Sequence, residues 1–249
     1  MKRVLLVVGG VIGVLVLLLG GFMARTFGGL VPIADGTTLP GGATVVKDGY
    51  VSAFVLASGD SEAVLIDCGQ DPDAKSLKAA LAAQKRTVKA IFVTHGHGDH
   101  VGGCRAFPDA ALYAFDGDKG LIEGTASANG PVTKFAKLDP AKAHPVTNTL
   151  VDGQTVEVGA LRVRAFLIPG HTAGSAAFLV NRALFLGDSL AGQTDGKVRI
   201  APWMFSDDLG QCATSIQRLG VTLRDEPVDQ LVFAHSGPLP GTALASFAP

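Results

Sequence analysis

Five short apolar runs in this chain each end, within a few residues, on a histidine or an aspartate: Asp67, the cluster His95 to His100, His171, Asp188 and His235. This recurrence constrains the fold more than any single motif. Apolar runs of a few residues bounded by turn residues read as buried strands. Strands that repeatedly release such side chains at their ends read as a scaffold for one site. The β-type runs lie at 44–47, 51–57, 63–66 and 88–93, and again at 156–158, 161–166, 177–180, 183–186 and 230–234. The spacing predicts a helix over 72–85, with Asp71 and Asp73 at its positive end and Leu77 and Leu81 on one face. A second helix is expected over 206–219, and a hairpin around Asn181-Arg182. Residues 120–145 show weak periodicity and are expected to form a short helix plus a loop over the site.

The cluster Thr94-His95-Gly96-His97-Gly98-Asp99-His100 holds three of the six histidines of the chain. Neutral imidazole and carboxylate are the usual ligands of a catalytic zinc-type ion. His95 and His97, two apart in an extended loop, point to one side and can share an ion. Asp99 and His100 lie further along a turn and can face a second. Each ion needs at least three protein ligands beside an open position for water, so His171 and His235 are the natural completions, and Asp188 can bridge. Asp67 is expected to orient a ligand imidazole through hydrogen bonds rather than to bind metal. His144, before Pro145 in a polar stretch, reads as a surface residue. Cys68, Cys104 and Cys212 are too few and scattered for a disulfide framework; buried thiols are expected, with room for one pair. Trp203, Met204 and Phe205 read equally as pocket lining or as packing beneath the following helix.

Length and charge narrow the classes further. A chain of 249 residues can bury one sizeable core. Lys2 and Arg3 precede residues 4–23, which carry no charge and are long enough to span a hydrocarbon core of about 30 Å. Phe22-Met23-Ala24 lacks a small-x-small cleavage pattern, so residues 1–24 are expected to be a retained membrane anchor, with a cleaved signal as the alternative. The positive-inside rule then predicts an extracytoplasmic domain. Residues 25–42, rich in Gly, Pro and Thr, read as a linker, and 43–249 as the catalytic domain. Without Lys2 and Arg3 the chain has 19 basic against 22 acidic side chains. That excludes the basic stripe that nucleic acid requires. The expected partners are a small-molecule substrate and, through the N-terminal segment, the membrane.

The motifs together resemble the metallo-β-lactamase superfamily over roughly residues 43–240. The matching pieces are Leu65-Ile66-Asp67-Cys68-Gly69, His95 to His100 followed by Val101-Gly102-Gly103, Pro169-Gly170-His171-Thr172-Ala173-Gly174-Ser175, Leu186-Gly187-Asp188-Ser189, and His235. The resemblance implies an α+β fold, a four-layer αββα sandwich with the site at one edge. It implies two zinc ions, one on His95, His97 and His171, the other on Asp99, His100 and His235, with Asp188 bridging. It also implies a hydrolase that directs a metal-bound hydroxide at an ester, thioester or lactone-type bond, with Asp99 as the catalytic group that handles its proton. A true β-lactamase is one alternative. A mononuclear iron enzyme that oxidises persulfides is another, because these ligands do not choose between zinc and iron. Glyoxalase II is similar in its motifs but carries a helical substrate domain after the last histidine. Only fourteen residues follow His235 here, so the expectation is against it.

Overall fold

The computed structural model describes residues 26–247 and, ahead of them, residues 13, 16, 17, 20–22 and 24. No helix among the described residues is long and apolar enough to cross a membrane; the expected anchor lies largely outside them.

Each half of the chain builds one six-stranded sheet. The first contains β1 (Thr44–Asp48), β2 (Val51–Ala57), β3 (Glu62–Ile66), β4 (Thr87–Phe92), β5 (Ala111–Phe115) and β6 (Asn148–Leu150), side by side in that order. Strands β1 to β3 run antiparallel, and β3 to β6 run parallel. Parallel neighbours need a crossover. Helix α1 (Lys75–Ala83) connects β3 to β4, the single turn α2 (Gly98–Val101) follows β4, and α3 (Asp116–Ile122) follows β5. The second sheet contains β7 (Thr155–Val158), β8 (Leu161–Leu167), β9 (Ala176–Val180) and β10 (Ala183–Phe185). A separate hairpin, β11 (Leu190–Gly192) and β12 (Val198–Ile200), and helix α4 (Leu209–Thr222) intervene before β13 (Gln230–Val232) and β14 (Leu239–Pro240) complete that sheet in the order β14-β13-β10-β9-β8-β7.

Strand alternation turns this into four layers. In β3, Val64 and Ile66 face the second sheet, while Ala63 and Leu65 face α1. In β10, Ala183 and Phe185 enter the space between the sheets, while Leu184 packs with Ile216 and Leu219 of α4. The central strands are therefore buried on both faces, which is why β3, β9 and β10 read as almost unbroken apolar runs. The result is the expected αββα arrangement of an α+β fold.

The structure differs from the sequence expectation in several places, each for a local reason. Helix α1 starts at Lys75 because the Asp71 carboxylate accepts the backbone N–H groups of Asp73 and Lys75, and Ala74 takes a left-handed φ of 48°. Helix α4 starts at Leu209 because Asp208 caps it, accepting from the backbone N–H of Gln211. Strands β6, β11 and β12 are three residues each, too short to show a period of two. The segment read as a linker is docked on the domain. The Val31 N–H donates to the Gly192 carbonyl, the Gly237 N–H donates to the Val31 carbonyl, and Leu39 is in the core. His144 is not on the surface. Its ring is buried, with Nδ1 2.8 Å from the Pro145 carbonyl and Nε2 3.2 Å from that of Phe107. Cys68 and Cys104 form a disulfide with Cα atoms 5.1 Å apart, and Cys212 is a buried thiol.

Candidate metal centre

Strand direction brings the ligand-type residues together. Strands β3 and β4 are parallel, so Asp67 and the loop from His95 leave the same edge of the first sheet. In the second sheet β8 and β10 are both antiparallel to β9, and β10 is parallel to β13. His171, Asp188 and His235 therefore also leave one edge. The two edges are joined by backbone hydrogen bonds, Ala176 N–H to the Thr94 carbonyl at 2.7 Å and Ser52 N–H to the Ala234 carbonyl at 2.8 Å. Gly187 permits the approach at Asp188. Its φ is 52°, and a Cβ there would meet the Thr94 hydroxyl at 2.5 Å.

Two groups of side chains converge. In the first, His95 Nε2, His97 Nδ1 and His171 Nε2 stand 3.0, 3.1 and 3.2 Å from one another. Three nitrogens on one tetrahedral ion at 2.0–2.1 Å stand about 3.3 Å apart, so the spacing fits a zinc-type ion. In the second, His235 Nε2 lies 3.0 Å from Asp188 Oδ2 and 3.4 Å from Asp99 Oδ2, and His100 Nε2 lies 3.4 Å from Asp188 Oδ1. His100 Nε2 and Asp188 Oδ1 are buried and make no hydrogen bond, as atoms shaped for a cation would be. Asp188 touches both groups: Oδ2 is also 3.9 Å from His171 Nε2 and 4.0 Å from His95 Nε2. The structure brings together His95, His97 and His171 in one group and Asp99, His100, Asp188 and His235 in the other.

The imidazoles of the two groups differ in protonation. Burial, and then the surrounding histidines, hold the His95 imidazole well below its usual range, and burial takes His171 down to about 3. His97 is lowered, again chiefly by burial. Burial also disfavours charge on His100 and His235, but Asp188 leads the carboxylates that outweigh it. His100 ends well above its usual value and His235 is pushed up to about 10. Asp188 stays well below the carboxylate range despite its burial, because His235 and His100 face it.

The family profile of the metallo-beta-lactamase superfamily matches residues 46–235. The chain belongs to the metallo-beta-lactamase superfamily. Among curated relatives, a hydroxyacylglutathione hydrolase of Xanthomonas axonopodis pv. citri is 31% identical over 176 residues, covering 69% of this chain and 56% of the relative. One from Gloeobacter violaceus is 36% identical over 152 residues, covering 58% and 50%. The chain spans about half the length of the curated relatives it matches. Among solved structures, the BLEG-1 B3 metallo-beta-lactamase superposes with a TM-score of 0.62 at 22% identity, covering 83% of this chain and 98% of that one. A metallo-beta-lactamase family protein of Thermus thermophilus gives 0.59 at 23%, covering 83% and 77%. At that identity these two show the shared superfamily fold.

The superfamily site is braced from behind. With their ring protons on Nδ1, four imidazoles keep a lone pair on the inward Nε2. His100 Nδ1 lies 2.8 Å from Asp67 Oδ2, His171 Nδ1 3.0 Å from the Ser206 hydroxyl, His235 Nδ1 3.0 Å from the Tyr50 carbonyl, and His95 Nδ1 3.2 Å from the Thr94 hydroxyl. The Thr94 hydroxyl in turn donates to Asp67. The sequence reading missed Asp118. Its buried carboxylate accepts the N–H of Gly96, the N–H of Gly174 and the hydroxyl of Thr172, so it ties the His95–His97 loop to the His171 loop. The signal was there, since Asp118 lies three residues past β5, but that strand was not read. Cys68 and Cys104 flank the same loops. Their bridge, with the Cys68 N–H donating to the His100 carbonyl at 2.7 Å, locks the end of β3 onto α2.

Proposed function

We propose that the protein is a dinuclear zinc-dependent hydrolase acting on an ester, thioester or lactone-type bond. The observation that carries this reading is Asp188, one carboxylate within reach of both ligand groups. His95, His97 and His171 would hold one ion, and Asp99, His100 and His235 the other. A pair of ions so held would supply a nucleophilic hydroxide near neutral pH and would polarise the carbonyl under attack. The chain's own residues do the rest. Asp99 reaches the cavity beside the site and accepts the proton of the nucleophile, then returns it to the leaving group. Burial works against its charge, but His100 and His235 lower it below the usual carboxylate value, so it is ionised when a base is needed. Leu190, Ile200 and Phe205 keep bulk water from one side. An acyl group carried on glutathione sulfur is a thioester, so the names of the sequence relatives support the same bond class.

Residues 1–24 are read as a membrane anchor and the domain as extracytoplasmic. The Cys68–Cys104 disulfide supports export, since such bonds persist in oxidising compartments. The first test is elemental mass spectrometry of the full-length protein. Close to two zinc ions per chain, with hydrolysis of simple thioesters or esters, is the expected result. About one iron and little zinc would transfer the reading to persulfide oxidation.

A further inference from the structure

The ligand residues form only one end of a cavity of about 880 Å³. Away from His97, Asp99, Asp188 and His235 its wall is mostly apolar, with Phe27, Leu30, Val132, Leu190, Ile200 and Phe205 prominent and Gln70, Thr133 and Arg199 among them. These side chains come from none of the strand ends that build the centre. They belong to the N-terminal segment, the loop after α3, and the β11–β12 hairpin with the turn that follows it. The N-terminal wall is held in place. The ring of Phe27 meets that of Phe205 at 6.3 Å, the Arg199 guanidinium donates to the Gly28 carbonyl at 3.1 Å, and Leu30 bridges to Gln193. Phe27 and Val132 of the wall stay exposed, and so do Trp203, next in sequence to the wall residue Pro202, and Phe135, next to the wall residue Ala136 and 82% exposed. A cluster of this kind is costly in water and marks a binding surface.

We propose that this cavity takes the unbranched apolar chain of an acyl ester or acyl thioester, with the carbonyl at the ligand residues and the chain lying along the wall made by Phe27, Leu190, Ile200 and Phe205. The proposal rests on the hydrolase reading and names its substrate class. The cavity is continuous with the ligand residues, so its occupant is attached to the bond that reacts. Its volume lies in the upper part of the range for drug-sized ligands; an acetyl group would leave most of it to water. The wall segment also follows directly on the apolar run 4–23, which suits a substrate drawn from a lipid surface. In the reaction the acyl C–O or C–S bond breaks, the hydroxyl of water joins the acyl carbon, and the remaining proton goes to the released alcohol or thiol. No oxidant or reductant is needed.

Trp203 is the only tryptophan of the chain and follows the wall residue Pro202, so its fluorescence is the reporter for that wall. The test has two readouts on the full-length, zinc-loaded protein. The first is kcat/KM for acyl thioesters and p-nitrophenyl esters with chains of two to ten carbons. Values rise roughly fourfold per added methylene until the cavity is filled. The second is titration with octan-1-ol, which cannot be hydrolysed. A saturable blue shift of Trp203 is expected with or without zinc, and Phe27→Asn weakens it about tenfold while reducing the ratio of long-chain to short-chain kcat/KM by a similar factor. Rates independent of chain length, with no saturable shift, overturn this proposal and leave the hydrolase reading standing. A saturable shift without hydrolysis of any ester or thioester overturns the hydrolase reading, and the substrate assignment with it. A shift that follows protein concentration without octanol means that a second copy covers the wall, which also overturns the proposal.

Discussion

The two halves of the candidate centre are built from similar residues, and their imidazoles reach different protonation states. His95 and His171 are buried and His97 is half-buried beside them, and burial, with repulsion from neighbouring imidazoles, favours their neutral forms. His100 and His235 are also mostly buried, but they face Asp99 and Asp188 and are held in the protonated form. The neutral group offers lone pairs that a cation can take at once. The acidic group must release protons before it can bind, so its metal affinity depends more steeply on pH. The same imidazole is thus ready or locked according to whether its nearest neighbour is another imidazole or a carboxylate.

Asp188 lies within reach of both groups. Asp188→Ala is expected to leave at most one ion per chain, held by the three histidines, and to lower kcat/KM on the order of 10³-fold. Metal analysis with a circular dichroism spectrum checks that the fold survives. A fully loaded, fully active variant would sink the dinuclear reading.

Asp67 tests whether the halves can be weakened separately. Its carboxylate touches His100 directly but reaches His95 only through Thr94. Asp67→Asn should weaken zinc at the acidic group by about 10- to 100-fold, and weaken the three-histidine group less. Competition with a chelator, followed by stepwise metal release, measures both.

Metal-free protein sharpens the contrast through pH. The folded His171 takes a proton only near pH 3, while the unfolded chain takes it near 6.5, so its contribution is complete above 6.5 and is lost as pH falls. His235, near 10 when folded, contributes below 6.5 and loses that contribution as pH rises toward 10. Thermal midpoints of the metal-free protein should therefore fall on both sides of neutrality. His171→Gln should flatten the acid limb alone. Zinc-loaded protein should show a weaker alkaline limb, because His235 is then deprotonated in the folded state.

The smallest effect is reserved for the one histidine outside both groups. His144 is buried between two carbonyls, so His144→Ala should cost about 1–3 kcal/mol of stability in denaturant unfolding. Its zinc content and kcat/KM should stay at the wild-type level.

Much of this molecule is legible one residue at a time. The strand β2 appears at the boundaries read from its apolar run, and the Asn181-Arg182 turn has both residues at positive φ, 47° and 66°, as a tight hairpin requires. Strand period and turn chemistry are local, and so is the choice of imidazole and carboxylate as ligands. For that reason the sequence alone located most of the long strands to within a residue or two, pointed to the superfamily, and singled out the seven residues that converge. What it left open involves partners distant along the chain. Asp118 joins loops 22 and 56 residues away, and Arg199 holds a carbonyl 171 residues away. Cys68 finds Cys104 only because α2 folds back on the end of β3. His144 looked polar and is buried because two carbonyls happen to meet it. The tertiary structure alone decided which charge each imidazole carries and that the N-terminal segment walls the cavity, because burial and Coulomb energy depend on which atoms are neighbours in space, and sequence distance does not record that.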